Sequence, residues 1–138
     1  MLKYLVINKG QKYYHSIGAW TESLATVNKH VNEYEKNGLD VFVIERKDYS
    51  CIDVRIKKRI DGKWHNTKWV DVSSEIWAEP MFHYANESDN MDKYIKYRQH
   101  EIEEFNDTPS ITEWVLHNDW EQREFLYYLY DNGYIETR

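Results

Sequence analysis

The chain predicts an α+β fold: an antiparallel sheet of four to five strands with one helix packed on a face, followed by a three-helix C-terminal extension. Three observations carry this reading. Residues 20–46 read as an amphipathic helix feeding a buried strand. Ile52, Val54, Ile56 and Ile60 alternate with Asp53, Arg55, Lys57 and Arg59 ahead of Asp61-Gly62, which is the period of a half-buried strand entering a hairpin. Beyond the polar stretch from Asn86 to Asn90, apolar residues fall at helical spacing and cap residues punctuate them.

Taken in order, Lys3 to Asn8 reads as a strand, Asn8-Lys9-Gly10 as a turn and Lys12 to Ile17 as a returning strand. Helix 21–37 follows, with Thr21 as N-cap and Asn37-Gly38 as the stop, because Gly accepts the left-handed conformation. Leu24, Val27, Val31 and Tyr34 form its apolar face, and Lys29, Asn32, Glu33 and Lys36 lie opposite. The next strand, 41–46, opens with Val41 to Ile44, apolar on both parities as in a strand covered on both faces. Asp48-Tyr49-Ser50 is a turn, and the hairpin returns as a strand from Trp64 to Val72. A three-residue loop, 61–63, is expected, because it would oppose Ile52 to Val72 and Val54 to Val70, pairing apolar with apolar, whereas a two-residue loop would set Ile52 against Asp71.

Residues 73–88 hold Ile76, Trp77, Met81, Phe82 and Tyr84, too apolar for a solvated loop, while Pro80 argues against a central strand; a short edge strand or packed connector is expected. The first tail helix, Asp89 to about Glu104, places Met91, Tyr94, Ile95, Ile102 and Phe105 on one side. Thr108-Pro109 or the capping box Ser110-x-x-Glu113 starts a short helix ending near His117. Asn118-x-x-Glu121 opens the last, which runs to about Asp131 before Gly133, with Tyr134 and Ile135 folding back. Of Tyr127, Tyr128 and Tyr130, at least one is expected to face a partner or a second copy. One domain spans 1–138, with a sheet-plus-helix part (1–86) and an acidic helical part (87–138).

Composition narrows the function classes. Twelve Tyr and six Trp carry large contact area with a polar tip. The lone Cys51 forms no internal disulfide and fits a reducing cytoplasm. No apolar run approaches the roughly 20 residues of a membrane span, and the N-terminus lacks the pattern of a signal peptide, so a cytoplasmic location is expected. The net charge of −6 hides a division: residues 1–69 hold thirteen Lys and Arg against eight Asp and Glu, a balance of +5, and residues 70–138 hold five against sixteen, a balance of −11. Such asymmetry speaks to partners rather than fold.

The six histidines show no ligand spacing, and there is no Cys pair, so no metal or cofactor is implied. His65-Asn66-Thr67 matches the His-x-Thr element of two-histidine phosphoesterases, but the second element that such chemistry needs is missing. No phosphate loop or nucleophile elbow occurs either. The basic hairpin is a stronger feature. Arg55, Lys57 and Arg59 share one parity, Lys58, Lys63, His65 and Lys68 lie nearby, and Trp64 and Trp69 can stack on a ring. The acidic tail is the other candidate: Glu101, Glu103, Glu104 and Asp107 end one helix, and Glu113, Asp119, Glu121 and Glu124 follow. Carboxylates at a helix C-terminus oppose its dipole, so something other than helix stability is expected to have placed them. The last segments bear a likeness to a winged-helix ending: 110–116 as supporting helix, 119–131 as recognition helix and 133–136 as the start of a wing. The second of these carries Asp119, Glu121, Glu124 and Asp131 against Arg123, a charge suited to protein rather than DNA contact.

The functional expectation is a small acidic binding protein, an inhibitor or immunity-type factor of a phage or mobile element. It would engage the basic surface of a nucleic-acid-handling protein by imitating nucleic acid. The alternative is a nucleotide- or phosphate-binding protein using Arg55, Lys57, Arg59, Trp64, His65 and Trp69, or a hydrolase of that ligand. No catalytic residue is assigned.

Overall fold

The computed structural model describes residues 1–9, 14–16, 20–50 and 52–138. Its strands are β1 (Tyr4–Lys9), β2 (Tyr14–Ser16), β3 (Asp40–Arg46), β4 (Asp53–Ile60), β5 (Lys63–Asn66) and β6 (Val70–Asp71). Helix α1 (Leu24–Lys36) lies between β2 and β3, and a 3-10 turn (Glu75–Trp77), α2 (Ala78–Ala85), α3 (Ser88–Phe105), α4 (Ile111–Leu116) and α5 (Asp119–Asp131) follow β6. All strand pairs are antiparallel, in the order β2-β1-β3-β4-β5, with β6 also on β4. The turn expected after Asn8 lies partly outside the described residues; Asn8 and Lys9 themselves continue β1 to its pairing with β2.

The doubly apolar run at 41–44 has the predicted consequence: every residue of β3 from Val41 to Arg46 is buried. Its alternate side chains feed two cores. Val41 and Val43 meet Val6 of β1 and Val27 and Val31 of α1. Phe42 and Ile44 join Leu5, Ile7, Val54 and Ile56 on the other face, against Met81 and Tyr84 of α2, Trp114 of α4 and Phe125, Leu126 and Leu129 of α5. The helical extension thus covers the face opposite α1.

Local chemistry accounts for the element ends. Ser23, not Thr21, caps α1, its hydroxyl accepting from Thr26 N–H at 3.2 Å, because Thr21 is drawn into a backbone bridge with Tyr4. Leu24, expected in the core, is therefore first in the helix and 55 % exposed. Residues 75–85 form a 3-10 turn and a helix rather than an edge strand: Pro80 sits in the first turn of α2, where its missing N–H has no intrahelical partner to lose. Ser110 and Asn118 cap α4 and α5 by accepting from Glu113 N–H and Glu121 N–H. In α3, Tyr94 and Tyr97 pack on the core, but Ile95 and Phe105, placed with them by the helical period, are 54 % and 67 % exposed. Tyr127, a candidate for a partner contact, is buried and stacks on Phe42 with ring centroids 4.3 Å apart. Past α5 no wing strand forms; Tyr134 N–H returns to Leu129 O and Arg138 N–H reaches Asn66 O.

The hairpin departs from expectation in one respect. The turn has two residues, Asp61 and Gly62, both left-handed at φ 52° and 77°, as a hairpin-matched turn requires. Lys57 then faces Asn66 and Ile60 faces Lys63. Carried through, that register would put Ile52 opposite Asp71. A bulge across Thr67 to Trp69 shifts the pairing by one, so that Val54 faces Val70 as expected and Asp53 faces Asp71. Thr67, buried at 3 % exposure, stitches the bulge. Its hydroxyl accepts Ile56 N–H at 3.0 Å and donates to Lys68 O at 2.9 Å. Replacing Thr67 with Val keeps the shape and strands the Ile56 N–H, so denaturant unfolding should show a loss of about 1–3 kcal/mol.

Candidate functional site

Register sets the basic hairpin's geometry. Tyr4, Glu45 and Arg55 form one row across β1, β3 and β4, and Val6, Val43, Lys57 and Asn66 form the next, extending to β5. These side chains stand on the α1 face. A helix about 10 Å wide roofs about two strands spaced about 4.8 Å apart; α1 covers β1 and β3 and leaves the β4–β5 half to its own long cationic side chains.

At the centre of that half-roofed face lies Glu45, 1 % exposed. Lys3 Nζ approaches its carboxylate at 2.8 Å, Arg55 Nε at 2.7 Å and Lys57 Nζ at 3.7 Å. Burial pushes the Glu45 carboxyl up, but the Arg55 and Lys3 hydrogen bonds and the surrounding positive charge outweigh it and hold the group below its ordinary value. The hydrogen bond to Glu45 raises the Lys3 ammonium in turn. Lys57 is lowered, chiefly by burial, with Arg55 and Lys3 adding repulsion against the pull of Glu45. Three cations share one carboxylate, a local surplus of positive charge.

The other hairpin candidates are distributed differently. Arg59 reaches back to α1, pairing with Glu35 at 2.8 Å and bonding Asn32, and lies 5.8 Å from the Trp64 ring. Trp69 packs between Arg55 at 4.4 Å and Lys47 at 4.8 Å. His65 is not part of this face. It pairs opposite Lys58 and shares the other side of the sheet, where Lys58 pairs with Asp40 and Tyr127 OH donates to Asp40 at 3.1 Å.

The eight candidate carboxylates of the acidic half fall into three settings. Glu101, Asp107 and Glu113 lie close enough to Tyr97 that, after burial, their charges raise its hydroxyl; the end of α3, the loop after it and α4 thus gather there. Glu103 and Glu104 are exposed in the last turn of α3, which has no basic residue, and Asp119 is exposed in the first turn of α5, where the dipole favours it. Glu121 and Glu124 turn inward. Tyr84 OH donates to Glu121 at 2.6 Å, and Lys93 Nζ lies 3.4 Å from Glu124 and 3.9 Å from Glu121. Burial raises the Glu121 carboxyl against the Tyr84 hydrogen bond and Lys93, and raises the Tyr84 hydroxyl far above its ordinary value.

This inward cluster joining α2, α3 and α5 escaped the sequence reading, though a signal exists. Phe125 and Leu126 extend the buried stripe of α5, and one turn earlier that stripe lands on Glu121 and Gln122, both buried. Among the described residues no group of three or more His, Cys, Asp or Glu is placed to hold a metal ion, and no helix is long and apolar enough to cross a membrane.

Removing the Glu45 charge leaves three cations without their shared partner. Glu45→Gln should lower stability by about 3 kcal/mol or more at neutral pH. Because the Glu45 carboxyl is held below its unfolded value, its contribution is full above about pH 5 and fades as pH falls through the lowered folded value. The difference between wild type and Glu45→Gln should therefore shrink on acidification, as urea unfolding across pH 2–7 will measure. Comparison of the chain with protein-family models, with curated proteins and with solved structures finds no match in any of the three.

Proposed function

We propose that this chain is a non-enzymatic binding protein that engages a basic, nucleic-acid-handling protein through the acidic end of its helical layer. An inhibitor or immunity-type factor of a phage or mobile element would act in this way. The supporting observation is the company the carboxylates keep. Glu101, Glu103, Glu104, Asp107, Glu113 and Asp119 have no Lys or Arg ion-pair partner among the described residues; His100 lies 3.6 Å from Glu101. Nor does any ion pair among the described residues join positions 1–69 to positions 70–138. The ion-paired Lys and Arg of the first half, Lys3, Arg55, Lys57, Lys58 and Arg59, find their carboxylates within it, at Glu45, Asp40 and Glu35. The negative field at the α3–α4 junction is left for an outside partner, and Phe105, the last residue of α3 and 67 % exposed, offers an apolar contact there.

Glu121 and Glu124 are left out of this surface, since Tyr84 and Lys93 occupy them. A nucleotide spread over the outer hairpin has a narrower basis, because Arg59 is held by Glu35 and His65 stands on the opposite face. A hydrolase has less still, since the carboxylates beside these cations, Glu45, Asp40 and Glu35, are each engaged in ion pairs among the described residues.

Capture from lysate with the full chain, followed by mass spectrometry, should identify a basic partner. Its affinity should fall as salt rises, as attraction between exposed charges does. The triple variant Glu101→Lys, Glu103→Lys, Glu104→Lys should bind that partner at least about tenfold more weakly, one step of about 1.4 kcal/mol. Affinity undiminished by charge reversal would refute the acidic-surface reading.

A further inference from the structure

We propose that the cleft between α1 and the β4–β5 hairpin is a binding site for a small planar aromatic carboxylate. The cleft has a volume of about 320 Å³ and is lined by Tyr4, Leu24, Val27, Asn28, Lys57 and Trp64. That volume is at the small end of ligand pockets. Four of the six lining residues are aromatic or aliphatic, and the two polar ones, Asn28 and Lys57, offer one amide and one ammonium. The composition suits an apolar, flat body with a single anionic head. Tyr4 and Trp64 provide the rings against which such a body stacks.

Two further observations support an anion. The first is the charge count next to the cleft: among the described residues Lys3, Arg55 and Lys57 share one carboxylate, Glu45, whose two oxygens already take the closer pair, Lys3 at 2.8 Å and Arg55 at 2.7 Å. Lys57 is the distant member at 3.7 Å and spends a second donor on Asn66 Oδ1 at 2.9 Å. An ammonium has three donors, so one remains for a carboxylate oxygen. The second observation is Leu24, an aliphatic side chain 55 % exposed in the first turn of α1 and part of the cleft lining. A ligand in the cleft would cover it. Phosphate esters are a poorer match, since their second charge and hydrated oxygens would face Val27 and Leu24.

The proposal is independent of the acidic surface, which lies on the other helical layer. It is tested on the full chain by calorimetry and by NMR titration with indole-3-carboxylate. Uncharged indole, inorganic phosphate and adenosine monophosphate serve as comparison probes. Indole-3-carboxylate should bind one per chain with a dissociation constant below about 1 mM, shifting the amides of Tyr4, Leu24 and Asn28 and the Trp64 indole. Leu24→Trp, which fills the cleft from a position outside the core, and Lys57→Met, which removes the ammonium, should each weaken binding by roughly tenfold or more. Lys57 also touches Glu45, so if Lys57→Met does not fold, Leu24→Trp and the comparison with indole decide the matter. The proposal is overturned by any of four outcomes: no saturable binding, indole binding as tightly as its acid, phosphate or the nucleotide binding more tightly, or affinity unchanged by Leu24→Trp.

Discussion

From Val41 onward strand β3 has no side that meets water, and the architecture follows from that constraint. Side chains from Val41 to Ile44 alternate between two cores, so each face of the sheet needs its own helical layer. The chain supplies them unequally. Four helices and a 3-10 turn serve one face, where Trp114, Phe125, Leu126 and Leu129 are fully buried. One thirteen-residue helix serves the other. The large core lies under the helical extension, while the α1 core is a handful of valines bordered by Tyr4 and Tyr34.

The thin layer explains where the charge went. With only β1 and β3 roofed, the neighbouring strands could not carry apolar side chains on that face without exposing them, and they carry Arg55, Lys57 and Arg59 instead. The aliphatic stems of such residues cover the sheet while their heads stay polar. Glu45 is the exception that the arrangement tolerates: a carboxylate inside β3, buried at the margin of α1's cover and held ionised by cations from β1's flank and β4. Burial of a charge is costly unless it is paired and hydrogen-bonded, and here the pairing is threefold.

Much of this fold could be read from the chain because the periods are strong. The double apolar parity at 41–44, the alternation through 52–56 and the cap residues Ser110 and Asn118 each have one physical meaning, and the structure follows them. The misreadings share a cause: each needed knowledge of a neighbour in space. Leu24 and Thr21 were misplaced because Tyr4, far off in sequence, recruits Thr21 into a bridge. The segment 73–88 is too short for its period to separate helix from connector, and Pro80 excludes a central strand without announcing a first turn. Tyr127 reads as an interface residue by type and is buried because Phe42 lies opposite. The Glu45 cluster was the least legible part. Nothing in the local sequence says that a glutamate at the end of an apolar run will meet Lys3, Arg55 and Lys57. Only the strand order and register bring them together.

The bulge between β5 and β6 has an implication of its own. A hairpin of this length has two ways to place its one supernumerary residue: between the strands, as Thr67 holds it, or at the tip, as a longer loop. The two solutions differ by a half-turn of every side chain from Lys63 to Asn66. In the first, Trp64 and Asn66 look toward α1 and His65 looks away. In the second they would exchange, delivering an imidazole to the side of Lys57 and withdrawing the indole. A single hydroxyl at position 67 and the left-handed pair at 61 and 62 therefore determine the chemistry presented to the cleft, not merely the shape of the ribbon.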